Sequence, residues 1–195
     1  FRQKHGLDRF VLHVGTLQPR KNIPVLIEAF ARLDDPALKL VLVGGKGWLY
    51  DDIFRQVQAL GLTERVSFTG YVPDDDLPLW YNAAELLVFP SVYEGFGLPV
   101  VEAMACGTPV IAANSSSIPE AVGTAGLLFA PDDVATLTNQ MTAVLTNSDL
   151  RATLRQQGLV HAQTFSWERA GRATSVVYHS ALQNKFATEG TEENE

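Results

Sequence analysis

Two glutamates, Glu94 and Glu102, stand with seven residues between them in the stretch FPSVYEGFGLPVVEAMACGTPVIA. A carboxylate offers two acceptor oxygens, which suits the vicinal hydroxyls of a ribose or a hexose. Between them Gly95, Phe96, Gly97 and Leu98 read as a glycine-rich turn into a helix. Backbone N–H groups there, with the positive end of the helix, suit an anion such as a diphosphate, and glycine lets the backbone come close to it. Cations are available in TLQPRKN, as Arg20 and Lys21. Two cations on a diphosphate would both hold it and offset charge developing on a leaving group. A plainer reading is also open: a tight turn, two solvated glutamates at a helix start, and surface cations. Against its last part, cations are favoured at the other end of a helix.

The elements that must position these residues follow from the apolar pattern. Leu86-Leu87-Val88-Phe89 ends at Pro90 and reads as a buried strand. Leu98-Pro99 opens a helix, proline being tolerated where its missing N–H has no partner anyway, and Val110-Ile111-Ala112 returns as the next parallel strand. Phe10–Val14, closed by Gly15, is an earlier strand, with His13 packed in or beside the sheet. The loop after it carries Thr16, Arg20 and Lys21 to the same sheet edge as the glycine turn, where open α/β sheets bind ligands. A strand over 39–43 leads to Gly44-Gly45-Lys46-Gly47, Lys46 being a loop lysine within reach. The next helix has Ile53, Val57 and Leu60 on one face and Gly61 at its end. The strand over 66–70 leads to Tyr71-Val72-Pro73. Asp74-Asp75-Asp76 matches a metal-binding pattern, but its place directly before LPLWYNAAE favours capping and first-turn roles. NSSSIPEAVG caps a short helix, 126–129 is the last strand, and amphipathic helices complete the chain. Met141, Trp167 and Tyr178 are at core-like spacing, and His161 and His179 at surface positions. The fold class is α/β, a doubly wound parallel sheet of about six strands flanked by helices.

EGFGLPVVE followed by EAMACGTPVIA, together with VGTLQPRKN, resembles the donor-site signature of retaining glycosyltransferases of family 4, which have the two-domain GT-B architecture. The likeness extends over residues 10–183 and implies the Rossmann-like, nucleotide-sugar-binding C-terminal half of such an enzyme. Carried over, Glu94 contacts the transferred sugar and Glu102 holds the nucleotide ribose. The backbone at Gly97 and Leu98 contacts the diphosphate, and Val72 lies beside the base. Gly15 and Lys21 match the G-x5-K phosphate pattern, with Gly44 on the adjoining loop. The arginine that many members carry directly after that first glycine is Thr16 here, so Arg20 is the candidate replacement. The resemblance implies catalytic roles for Glu94, Lys21 and Arg20. It implies a nucleotide-sugar donor, with GDP-mannose preferred, and neither metal nor separate cofactor. It also implies a glycan or lipid-linked acceptor, held by an N-terminal domain outside this sequence.

With 195 residues, 46% hydrophobic and 19% charged, the chain can bury one α/β core. No apolar run reaches the ~20 residues needed to span a bilayer. Net charge is −7, and four glutamates of the tail account for much of it, which argues against nucleic-acid binding. The single Cys106 rules out an intrachain disulfide and fits a reducing compartment. The expected localisation is cytoplasmic, with peripheral attachment at the inner membrane face allowed. Residues 1–9 read as an interdomain linker, 10–183 as the donor-binding domain and 184–195 as a disordered acidic tail. A start without methionine suggests a piece of a longer protein, inactive in transfer by itself. Two alternatives stay open, an epimerase-type GT-B enzyme and a non-catalytic nucleotide-binding module. A dehydrogenase is disfavoured, because no G-x-G-x-x-G turn follows the first strand.

Overall fold

Short β-branched runs closed by glycine or proline become strands, and the 3.6-period segments between them become helices. The computed structural model describes residues 1–189, with side chains through residue 182. The chain divides into two compact units, Phe1–Ala162 and a second beginning at Gln163. The first holds α1 (Arg2–His5), β1 (Phe10–Val14), a 3-10 turn (Pro19–Lys21), α2 (Ile23–Ala31), β2 (Lys39–Val43) and α3 (Asp51–Ala59). It continues with β3 (Val66–Gly70), α4 (Leu77–Ala83), β4 (Leu86–Phe89), α5 (Leu98–Ala105) and β5 (Val110–Ala113). Then come α6 (Ile118–Val122), β6 (Leu127–Phe129), α7 (Val134–Thr146) and α8 (Ser148–Ala162), while α9 (Trp167–Glu189) belongs to the second unit.

The six strands form one parallel sheet in the order β3-β2-β1-β4-β5-β6. Every residue of β1, β4 and β5 is buried, as a sheet covered on both faces requires. One set of packed helices is α2 with α3 and α7; another is α5 with α4, α6 and α8. From β1 the chain runs outward to β2 and β3, then returns to lay β4 on the other side of β1 and runs the opposite way. The loops after β1 and β4 therefore leave in opposite directions, and a crevice opens at the carboxyl ends of these two strands. The pairing shows the same split. β1 and β4 are in register at Val11↔Leu86 and Leu12↔Leu87 only, although β1 runs on to Val14 and β4 to Phe89.

Several local expectations shift. Leu60 is exposed rather than on the buried face of α3, because the helix ends at Ala59 and Gly61 turns the chain away with φ 68°. Asp76 occupies the N-cap position of α4 but makes no side-chain capping bond, and no acid lies in that helix's first turn. Asp133 does cap α7, accepting from the Thr136 N–H at 2.8 Å. Of the three residues at core-like spacing only Met141 is buried; Trp167 and Tyr178 on α9 are 82% and 67% exposed. His161 is half-buried, with Nε2 3.1 Å from the Ala121 carbonyl. The stretch 1–9 contains α1, and Phe1 packs edge-on against Trp80 while Arg2 donates to the Ala83 carbonyl at the end of α4. Helix α9 extends to Glu189, and the rest of the acidic tail, 190–195, lies outside the described residues. Among the described residues no helix is long and apolar enough to cross a membrane, and no group of three or more His, Cys, Asp or Glu side chains could hold a metal ion.

The loop edge itself is tightly stitched. Gly15 N–H donates to the Val43 carbonyl and Gly44 N–H to Gly70, so the ends of β1, β2 and β3 are tied together. A Cβ on Gly44 would sit 2.1 Å from the Gly15 carbonyl oxygen, an immobile backbone atom. Gly44→Ala is therefore expected to destabilise the chain by about 2 kcal/mol or more through overpacking. Urea melts of the variant beside the parent check this; equal midpoints would show that the loop yields.

Candidate functional site

The site lies over the β1–β4 split and is built by three loops. The first follows β1, and its 3-10 turn presents Arg20 and Lys21. The second follows β4 and carries Glu94 to Gly97. The third, Asn114 to Ser117, follows β5. Backbone bonds join the first two, since the Val92 N–H donates to the Arg20 carbonyl at 2.9 Å. Serines join the last two. Glu94 N–H donates to Ser116 Oγ, Ser117 Oγ donates to the Glu94 carbonyl, and Ser115 Oγ donates to that of Val92.

Glu94 is the hub. Lys21 Nζ donates to its Oε1 at 2.6 Å, and Arg20 Nη1 donates to its Oε2 at 2.8 Å. The Lys21 and Glu94 side chains are 8% and 11% exposed, Arg20 40%. Burial would raise the Glu94 pKa; the hydrogen bonds from Lys21 and Arg20 outweigh it and hold the carboxyl below its ordinary value. Arg20 also donates to the Tyr93 carbonyl, and the Gln18 amide, with its oxygen turned to the guanidinium, accepts from Nε and Nη2 at 2.8 and 3.0 Å. Lys21 lies over the Phe89 ring, 5.0 Å from its centroid.

Directly beyond Glu94, Gly97 takes φ 104° and opens α5 with no side-chain cap. The positive end of that helix therefore follows directly on the Glu94 loop, without a side chain over its first amides. Leu98 and Pro99 are its first two residues. Glu102 stands four residues further on, about 6 Å along the axis, on the exposed side of the helix. Its partner is Tyr81 of α4, whose buried phenol donates to Oε2 at 2.8 Å. Burial first, then the charge of Glu102, raises the Tyr81 pKa, so the phenol stays a donor. The Tyr81 carbonyl accepts from Thr108 Oγ1 at 2.7 Å, which fixes the tyrosine at both ends.

The structure thus brings Arg20, Lys21 and Glu94 into direct contact, sets Gly15 against Lys21, and places Gly97 against the Phe89 ring that Lys21 overlies. A Cβ on Gly15 would meet Lys21 Nζ at 3.2 Å and His13 Nε2 at 3.4 Å. Thr16 is exposed at the mouth and Phe96 is half-buried against the core. Gly44 lies against Gly15, and Val72 is buried just past β3. Lys46 lies over the Tyr50 and Phe54 rings at 5.0 and 5.5 Å. Sequence reasoning missed Tyr81 and the three serines. NSSS reads as a helix cap, yet Ser117 makes no capping bond with its side chain, and its hydroxyl turns to the Glu94 loop instead. Tyr81 sits in an apolar helical stripe that gives no sign of a polar duty.

This arrangement has known relatives. Residues 1–160 match the family described as glycosyl transferases group 1. The chain belongs to that family. It is 42% identical over 182 residues to O-antigen chain mannosyltransferase B of Escherichia coli, covering 90% of this chain and 48% of the relative. It is 39% identical over 184 residues to a D-inositol 3-phosphate glycosyltransferase of Salinispora arenicola, covering 88% and 41%. Among solved structures, Anabaena HepE in complex with UDP and glucose superposes with a TM-score of 0.84 at 30% identity, over 92% of this chain and 51% of that one. The fold is that of GT-B glycosyltransferase domains. The chain spans less than half the length of the two named relatives.

One property of the site is measurable without a ligand. His13 is fully buried beside Lys21, and burial, helped by that charge, pushes its pKa down from 6.5 to about 4 against the opposing bond to Val88. The unfolded chain therefore binds a proton that the folded chain refuses between pH 6.5 and 4. Stability is fully present above 6.5 and is lost as pH falls through that window, by about 3 kcal/mol. Urea melts at pH 7 and 4.5 should show the loss, and His13→Gln should flatten it.

Proposed function

We propose that this chain is the donor-binding half of a nucleotide-sugar-dependent hexosyltransferase that retains anomeric configuration. The observation that carries the reading is the Lys21–Glu94–Arg20 cluster set at the mouth of the β1–β4 split and faced by the start of α5. Two cations and a helix N-terminus converge there, a set that suits a diphosphate. On donor binding the diphosphate replaces Glu94 as the anion on Lys21 and Arg20, and Glu94 turns to the hydroxyls of the sugar. Glu102, steadied by Tyr81, takes the ribose hydroxyls, with the base beside Val72. As the bond from the anomeric carbon to the diphosphate oxygen breaks and one to the acceptor oxygen forms, the acceptor's hydroxyl proton passes to the departing diphosphate, whose charge Lys21, Arg20 and the α5 amides stabilise. No residue of the site requires a metal for this.

The donor proposed is GDP-mannose, supported by the mannosyltransferase names of relatives that include the one at 42% identity. UDP-sugars are the alternative, because the structural neighbour was solved with UDP and glucose. The acceptor, a glycan or a lipid-linked saccharide, would be held by an N-terminal domain, with the whole protein cytoplasmic and working at the inner membrane face. Thermal-shift comparison of GDP, UDP and ADP on this chain tests the donor. GDP should raise Tm most, and a larger shift with UDP would overturn the guanine assignment. Lys21→Ala should cost roughly 1.5–3 kcal/mol of diphosphate affinity by calorimetry, and an unchanged Kd would remove Lys21 from the site. Glu94→Gln in the full-length enzyme should abolish transfer without weakening nucleotide binding, which separates catalysis from a sensing module. The isolated chain should transfer nothing. Donor consumption by the full-length enzyme without acceptor would favour epimerase chemistry.

A further inference from the structure

The β1–β4 ladder ends at Leu12↔Leu87, one pair short of His13 and Val88. Where the next pair would form, a side chain bridges instead: His13 Nδ1 lies 3.1 Å from the Val88 carbonyl oxygen. A carbonyl only accepts, so Nδ1 carries the proton and donates. In the neutral ring Nε2 is then a lone-pair acceptor. That atom is buried and, among the described residues, has no hydrogen-bond partner. A buried acceptor left unmade costs free energy, and this one is neither random in place nor remote. The point where a Gly15 Cβ would fall is 3.4 Å from Nε2 and 3.2 Å from Lys21 Nζ, so ammonium and lone pair flank one small space that only glycine leaves open. The ring lies roughly parallel to Phe89, over which Lys21 also sits. Lys21 has three N–H donors, and Glu94 Oε1 accepts from one of them.

We propose that His13 is a positioning residue for the phosphate-binding lysine, its Nε2 serving as the inner acceptor of the Lys21 ammonium once Glu94 turns to the donor. Nδ1–H anchors the ring to β4 across the split, and Nε2 fixes how deep the ammonium sits beneath the diphosphate. A charged imidazolium could not do this, since both its nitrogens would be donors facing a cation; the buried environment keeps the ring neutral. The proposal rests on the diphosphate reading for its functional consequence, while the contact itself is testable without any nucleotide.

In a long-range 1H–15N spectrum of the whole chain, Glu94→Ala should shift the unprotonated His13 Nε2 resonance upfield, the direction for a lone pair that gains a donor. Adding Lys21→Met should reverse it. A resonance that stays put in Glu94→Ala overturns the proposal. The functional arm uses two isosteres, with GDP and GMP, or UDP and UMP if the parent chain prefers uridine. In His13→Asn the amide replaces Nδ1 and keeps the Val88 bond but leaves nothing at the Nε2 position; in His13→Gln the amide reaches that position. His13→Asn should weaken diphosphate binding about tenfold with the monophosphate unchanged, and His13→Gln should stay within about twofold of the parent. Equal losses for both variants, or equal losses for both nucleotides, would assign His13 to packing alone. If no nucleotide binds even the parent chain, the donor reading fails and the resonance shift decides the His13 contact on its own.

Discussion

A carboxylate almost removed from water must be neutralised, and that requirement at Glu94 organises the functional edge of this molecule. Taking such a charge out of solvent costs several kcal/mol even after relaxation. The chain offsets it with two cations from a loop more than seventy residues earlier, and two cations need two loops held in register. The Val92–Arg20 backbone bond and the serine bonds to Glu94 and Val92 provide that register. The topology makes the meeting possible: only at the β1–β4 split do the loops of neighbouring strands depart in opposite directions and leave room for a side-chain cluster between them.

Glu94 and Glu102 share a motif but not an environment. Glu94 is held by two formal charges, so under the proposed function it would serve a sugar only after something more anionic took its place; a diphosphate would offer the same two cations more charge. Glu102 is held by one neutral phenol on one oxygen. Its other oxygen needs no exchange before it can accept from a hydroxyl. On the proposed reading one acid is coupled to the arrival of the donor and the other stands ready. The difference comes from what sits behind each side chain: a cation loop in one case, a buried tyrosine with its own carbonyl pinned by Thr108 in the other.

The strands, their parallel arrangement and the edge at which Arg20, Lys21 and the glycine turn assemble were legible in the sequence, because apolar runs and glycine punctuation are local signals. What escaped was side-chain logic between loops. Ser115, Ser116 and Ser117 look like any cap, and the choice between capping α6 and stapling Glu94 depends on a neighbour twenty residues away in sequence. Tyr81 reads as core, and it is core except for one oxygen. His13 reads as a packed strand residue, which it is; its orphaned nitrogen appears only when the splayed ladder and the position of Lys21 are both known. The exposed Trp167 and Tyr178 fail the opposite way, since helical spacing marks an apolar face without naming what it meets.

The site is half-open, and its electrostatics follow from that. Lys21 and Glu94 interact largely out of solvent, whereas Arg20 keeps 40% of its side chain in water. Tyr93 and Leu98 on its own rim stand 67% and 46% exposed. On the loops leaving β2 and β3, Trp48 and Tyr71 do the same at 59% and 75%. A unit-charge interaction at 4 Å is worth about 1 kcal/mol in bulk water and about 4 kcal/mol at the effective dielectric near a protein surface. Arg20 therefore acts nearer the weak limit and Lys21 nearer the strong one. A cover over these apolar rims would move Arg20 toward Lys21's regime without altering a single contact, strengthening its hold on any anion that meets it.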